Sequence, residues 1–156
     1  MLKAGTVAPE FTARLEDGTA FELASFRGAK NVVLYFYPKD FTPGCTAEAC
    51  AFRDNYDEVG QHDAVIFGIS GDSETSHARF RERYELPFPL IADPERNVHR
   101  LYEVTGLLPW MTPRITYVID KQGVIRAAIR HDLRVTAHVP DVIDALKAIE
   151  PSAAAS

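Results

Sequence analysis

Two cysteines, Cys45 and Cys50, carry the chemistry legible in this chain. Cys45 closes the octet Pro38-Lys-Asp-Phe-Thr42-Pro-Gly-Cys45. A Val/Tyr/Phe run, Val32 to Tyr37, precedes it and reads as a buried strand. Pro38 ends that run, and Pro43-Gly44 read as a turn. A helix-forming stretch, Thr46 to Val59, follows. Cys45 is therefore expected where a strand hands over to a helix, at or near the first helical turn. Unpaired backbone N–H groups and the positive end of the helix dipole converge there. In such a setting a thiol gives up its proton near neutral pH, and the thiolate is the nucleophile. With Cys50 five residues on, the residues point to redox chemistry by a cysteine pair.

The surrounding elements must hold that pair in place. Phe11 to Leu15 and Thr19 to Leu23 flank Glu16-Asp17-Gly18, an Asp-Gly hairpin signal. Val32 to Tyr37 lacks alternation and is expected to be buried on both faces. In the helix after it, Phe52, Tyr56 and Val59 have core-facing spacing. Ala64 to Ser70 is a second buried strand, Thr75 to Tyr84 a helix, and Phe88 to Ala92 a short strand. Asp93-Pro94 reads as a capped helix start, with Val98, Leu101 and Tyr102 on its apolar side. Ile115 to Asp120 and Val124 to Ile129 form a second hairpin around Lys121-Gln-Gly123. Val139, Val142, Ile143, Leu146 and Ile149 make one stripe on a last helix. Strands alternating with helices predict a mixed α/β, thioredoxin-like fold. A central mixed sheet would carry helices on both faces and an N-terminal β-hairpin. The reactive strand end would lie at the carboxyl edge, where ligand sites gather.

Composition bounds the possibilities. The 156 residues, 46% hydrophobic and 25% charged, suit one domain over 1–150, with 151–156 read as a flexible tail. A net charge of −5 without a basic stripe argues against nucleic acid. The first residues lack the apolar core of a signal peptide, and no run approaches the roughly 18 apolar residues of a membrane span. A cytoplasmic protein is expected. Two cysteines are too few for a secreted disulfide framework, so a catalytic, metal-binding or inert role remains for them.

The stretch from Phe36 to Asp54 resembles the active-site segment of peroxiredoxins, and most closely the Q, or bacterioferritin-comigratory, branch. The Pro-x-x-x-Thr-x-x-Cys pattern is complete at Pro38, Thr42 and Cys45, and the further cysteine of the branch falls at Cys50. Asp93-Pro94 and the segment Pro113 to Asp120 also fall where the family has like segments. The resemblance runs from about Ala4 to Ile149. It implies a thiol peroxidase reducing hydrogen peroxide and organic hydroperoxides without metal, haem or flavin. Cys45 would be the peroxidatic cysteine, oxidised to a sulfenic acid. Thr42 would offer its hydroxyl to thiolate or peroxide, and Pro38 would cover the site. Arg114 would be the stabilising cation, oriented by Glu48, which shares the helix face of Cys45. Cys50 would resolve the sulfenic acid as an intrachain disulfide, recycled by thioredoxin or glutaredoxin. The branch suggests a monomer or a weak homodimer.

Helix geometry makes that disulfide demanding. Positions five apart on one helix have Cα atoms roughly 8.7 Å apart and side chains ~140° apart around the axis. A disulfide tolerates about 7 Å at most. Local unfolding around Thr42–Phe52 is therefore expected on oxidation.

Other readings compete. Cys45 as an inert buried thiol, Cys50 as a small structural residue of a one-cysteine peroxidase, Thr42 as a helix cap and Pro38 as strand punctuation are the plainer roles. Glu48 as a solvated carboxylate and Arg114 as a surface charge are likewise plainer. Of other function classes, a peroxide-sensing switch or binding protein would oxidise but recycle poorly, and a disulfide-exchange protein would ignore peroxide. A zinc site lacks the short cysteine spacing, and His62, His77, His99, His131 and His138 are scattered, each expected at the surface or satisfied. Gly68 and Gly71 do not make a phosphate loop. The apolar segment Gly106 to Pro113, centred on Leu107–Met111, is read as a covered lid, a collar around the site or a dimer patch.

Overall fold

The computed structural model describes residues 1–106 and 112–155. Seven strands form one sheet: β1 (Thr12–Leu15), β2 (Ala20–Glu22), β3 (Asn31–Phe36), β4 (Ala64–Ser70), β5 (Leu90–Ala92), β6 (Ile115–Ile119) and β7 (Ile125–Arg130). Their order is β2-β1-β5-β4-β3-β6-β7. The central three run parallel, while β1 joins β5 and β6 joins β3 in antiparallel sense. Among the described residues five α-helices accompany them: α1 (Pro43–Asp54), α2 (Tyr56–Gly60), α3 (Glu74–Arg83), α4 (Asn97–Leu101) and α5 (His138–Ala155). The mixed sheet with helices on both faces is the expected thioredoxin-like architecture. Among the described residues, no helix is long and apolar enough to cross a membrane.

Every residue of β3 is buried. Period-two alternation explains why a continuous apolar run is needed. Val33, Tyr35 and Tyr37 point into the core under α1, α2, α3 and α5, with Phe52, Val59, Phe80 and Leu146. Val32, Leu34 and Phe36 point into the opposite core, with Phe11, Phe21, Phe67, Tyr102 and Tyr117. The stripe on α5 is buried from Val139 to Ile149. It anchors that helix over β6 and β7, and thereby fixes where its first residue stands.

Three local expectations need correction. Pro43-Gly44 is no turn before a helix but the helix's first turn, because proline lacks an N–H that would go unpaired there. The stretch to Val59 is two helices, divided at Asn55. The Asn55 amide donates to the Ala51 carbonyl oxygen at 2.8 Å, a side-chain bond that competes with the helical ladder. Asp93-Pro94 does not open α4. The Asp93 N–H still bonds the Ser70 carbonyl oxygen at 3.0 Å, as a continuation of the sheet, and Arg96 adopts a left-handed conformation with φ 59° before the helix begins. The Asp93 carboxylate instead receives the backbone N–H of His99 at 2.9 Å.

Candidate active site

The site is built where β3 ends. Between β3 and α1 the chain makes a tight loop that is held from below by Asp40. This carboxylate is almost fully buried. It accepts from the Tyr37 hydroxyl at 2.6 Å and the Ser76 hydroxyl at 2.8 Å, and lies 2.7 Å from His77 Nδ1. Its own backbone N–H donates to Asp72 at 2.8 Å. Burial, then the neighbouring Asp40 charge, pushes the Tyr37 hydroxyl well above its usual range, so it stays a donor. Asp40, Asp72 and His77 form a compact group of candidate metal ligands. Each of them is already engaged by the hydrogen bonds of the loop, which is the arrangement of an anchor. Next to it, Phe41 takes a left-handed φ of 66° and lays its ring against Phe80, 5.1 Å away between centroids.

Cys45 is the third residue of α1 and is 1% exposed. Arg114 Nη1 stands 3.1 Å from its Sγ and 3.3 Å from Glu48 Oε1. The two meet across 69 positions of chain because Ile115, next to Arg114, pairs with Phe36 at the end of β3. A further bond, from the Arg114 N–H to Asp132 at 2.8 Å, fixes the segment that carries it. Gly44 permits the approach, since a β-carbon there would lie 2.7 Å from Arg114 Nη2.

Glu48 is not a solvated carboxylate but is wholly buried. Burial raises its carboxyl to about 8, against the opposing pull of Arg114. Thr42 occupies the N-cap position of α1 without capping it, and its hydroxyl donates to the Lys39 carbonyl oxygen at 2.9 Å. Pro38 is half-buried in the same loop. Cys50 is half-buried on α1, and both thiols are free. The expected set therefore falls on one loop, one helix and the lead-in to β6, with Cys45, Glu48 and Arg114 in direct contact.

Two histidines without a role in the chemistry read from the sequence, His77 and His138, stand beside the site. His77, His99 and His138 are fully buried, and none is a surface residue. His138 opens α5 behind Glu48, with its Nε2 3.4 Å from Glu48 Oε2. The Tyr35 ring is stacked on Phe52, and burial raises its hydroxyl, followed by the charges of Glu48 and Cys45. No spacing rule links His138 to Cys45, because the two belong to elements that meet only in three dimensions. The Leu107–Met111 segment lies outside the described residues.

A cysteine in the first turn of a helix, held against an arginine at the edge of a thioredoxin-like sheet, defines a thiol oxidoreductase. Residues 4–128 match the AhpC/TSA family. The chain is 41% identical over 146 residues to a chloroplastic peroxiredoxin Q of Oryza sativa subsp. japonica, covering 93% of this chain and 67% of that one. It is 38% identical over 152 residues to peroxiredoxin Bcp of Bacillus subtilis (strain 168), covering 94% and 96%. The crystal structure of peroxidoxin BcpB from Mycobacterium tuberculosis superposes with a TM-score of 0.88 at 34% identity, covering 96% and 99%. This chain belongs to the AhpC/TSA family and is a peroxiredoxin of the Q/Bcp type.

Proposed function

We propose that Cys45 is the peroxidatic cysteine of a two-cysteine peroxidase acting on hydrogen peroxide and organic hydroperoxides. The observation that carries this reading is Arg114 Nη1 at 3.1 Å from the Cys45 sulfur. A fixed guanidinium at that distance can meet the charge that develops on a departing oxygen. The thiolate attacks one peroxide oxygen, the O–O bond breaks, and the sulfur becomes a sulfenic acid. The other oxygen leaves as hydroxide or alkoxide and takes up a proton to become water or alcohol. Pro38 limits water at the sulfur. Thr42, whose hydroxyl now bonds Lys39, turns its oxygen toward the peroxide when substrate enters.

Cys50 then attacks the sulfenic sulfur, forming the disulfide and releasing water. A dithiol partner, thioredoxin or glutaredoxin, is oxidised as it restores both thiols. A structure of the Xanthomonas campestris bacterioferritin comigratory protein is described for alkyl peroxide reduction, which supports the choice of organic hydroperoxides. Two cysteines are too few for a secreted disulfide framework, and we place the protein in the cytoplasm as a monomer or weak homodimer.

Intact mass and free-thiol counts test the reading. Reduced protein receives one equivalent of hydrogen peroxide beside Cys45→Ser and Cys50→Ser. Loss of two hydrogens and both thiols is expected in the native chain, with a sulfenic acid in Cys50→Ser and no prompt reaction in Cys45→Ser. A sulfenic acid without a disulfide in the native chain would make Cys50 structural. An unreactive Cys45 would remove the peroxidase role and favour disulfide exchange or binding.

A further inference from the structure

Behind the Cys45–Arg114 contact lies a second shared contact that the steps above do not use. Glu48 Oε1 meets Arg114 Nη1, the same nitrogen that meets the Cys45 sulfur. Glu48 Oε2 is buried and has no hydrogen-bond partner. His138 Nε2 lies 3.4 Å from it, and both side chains are 0% exposed. A carboxyl with one oxygen bonded to an arginine and the other packed 3.4 Å from a fixed ring nitrogen has little room to turn about its last bond. We propose that His138 is a positioning residue of this site: it orients the Glu48 carboxyl, and through Glu48 the Arg114 guanidinium that meets Cys45. The inference rests on the peroxidatic reading for its catalytic meaning but not for its geometry.

The ring is held so that it can do this. Its Nε2 also faces the His131 carbonyl oxygen at 3.1 Å. A carbonyl oxygen only accepts, so Nε2 carries the proton. Nδ1 then accepts from the Thr116 hydroxyl at 2.9 Å. The Nε2–H is directed at the His131 carbonyl, and Glu48 Oε2 lies 3.4 Å from the same nitrogen. Burial holds the imidazole near 4, against an ordinary 6.5, so it is neutral at physiological pH. Thr116 belongs to β6, two residues from Arg114, and ties the ring to the strand that carries the arginine. The His131 ring stands edge-on to His138, 5.2 Å between centroids, and is fixed by Asp141 at 2.6 Å. The ionisable groups that act on the pair are Arg114 before β6 on both, His131 after β7 and Asp141 on α5 on the ring, and Tyr35 on β3 beside the carboxyl.

Two substitutions separate the ring's contacts. In His138→Gln the amide reaches the Nε2 position and keeps an N–H group beside Glu48 Oε2. In His138→Asn it reaches only the Nδ1 position, so the Thr116 bond survives and the Glu48 contact is lost. The Glu48 carboxyl is followed by carbon NMR through a pH titration, its signal assigned by its loss in Glu48→Gln. The positive end of a nearby N–H dipole favours the ionised carboxylate. The expected result is a Glu48 midpoint raised by about one unit in His138→Asn and unchanged in His138→Gln. Slower alkylation of Cys45 is expected in His138→Asn, with no further slowing when Glu48→Gln is already present. Equal Glu48 titration in all three proteins would overturn the proposal, as would slowing that adds to that of Glu48→Gln. Nitrogen NMR of the unmutated protein supplies a check independent of how the variants fold: a proton on Nδ1 in place of Nε2 also overturns it. These readouts need no peroxide turnover. An inactive protein with the expected titrations would therefore defeat the peroxidatic reading and leave His138 its role.

Discussion

Arg114 fills the space that a side chain on Gly44 would need: a β-carbon built there lies 2.7 Å from Nη2 and 3.4 Å from Cζ. Gly44 and Arg114 are 70 residues apart, and the contact exists because α1 and the lead-in to β6 meet at the end of β3. A Gly44→Ala change suits the helix, in which alanine is favoured over glycine by about 1 kcal/mol. It nevertheless requires the guanidinium that meets the sulfur to shift. Peroxide reactivity of Cys45 should fall by about 10²-fold, the scale of losing one charge-stabilising donor. Stopped-flow oxidation beside far-UV circular dichroism checks this. Native helicity with undiminished reactivity would show that the guanidinium relocates without consequence.

Glu48 makes stability depend on pH. Its carboxyl is raised to about 8 in the folded protein, from 4.5. A raised folded value means the folded state holds the proton more tightly. The associated stability is complete below about 4.5 and is lost as pH rises through about 8. His138, lowered from 6.5 to about 4, works in the opposite sense: its contribution is present above 6.5 and lost as pH falls through about 4. Glu48→Gln, which cannot ionise, should flatten the decline between about pH 4.5 and 8 and gain on the order of a few kcal/mol over the native chain near pH 9. Urea unfolding at a series of pH values gives the comparison, and parallel curves for the two proteins would contradict the assignment.

Oxidation should cost α1 its first turns. Cys45 and Cys50 lie on one continuous helix, Pro43–Asp54. Their Cα separation there, roughly 8.7 Å for a regular helix, exceeds what a disulfide spans. Amide hydrogen exchange across 43–52 should rise sharply in the disulfide form and return on reduction. Retained protection in a protein shown by mass to hold the disulfide would mean that bond forms without unwinding.

The Asp40 anchor should matter for stability before it matters for chemistry. Tyr37→Phe removes one buried hydrogen bond to a carboxylate and is expected to cost about 2 kcal/mol. Asp40→Ala strands the Tyr37, Ser76 and His77 groups together and should cost about 3–5 kcal/mol. Thermal or urea unfolding orders the two, and an Asp40→Ala protein as stable as Tyr37→Phe would show that the network repairs itself with water.

Much of the site was legible before folding because its parts are local. Pro38, Thr42, Cys45, Glu48 and Cys50 lie within thirteen consecutive positions. Strand end, proline-led helix and thiol at the first turn follow from that order alone. Misreadings were local too: Asn55 divides a helix by bonding Ala51, and Asp93 stays with the sheet. In both places a side-chain or sheet hydrogen bond outweighed helix propensity. Glu48 could not be assigned to solvent or core from its position, since its burial depends on α5 and β6 closing over it.

The sequence by itself determined the periodicities, and these the layers: a doubly buried β3, a striped α5, two hairpins and a cysteine at a helix start. Backbone sterics and hydrophobic spacing act over a few residues and can be read over a few residues. Only the tertiary structure decided which charges meet. Antiparallel pairing of β6 with β3 brings Arg114 to Cys45, and docking of α5 brings His138 to Glu48. Those pairs are separated by 69 and 90 positions of chain, so their electrostatics arise from burial and register, which no short stretch of residues encodes.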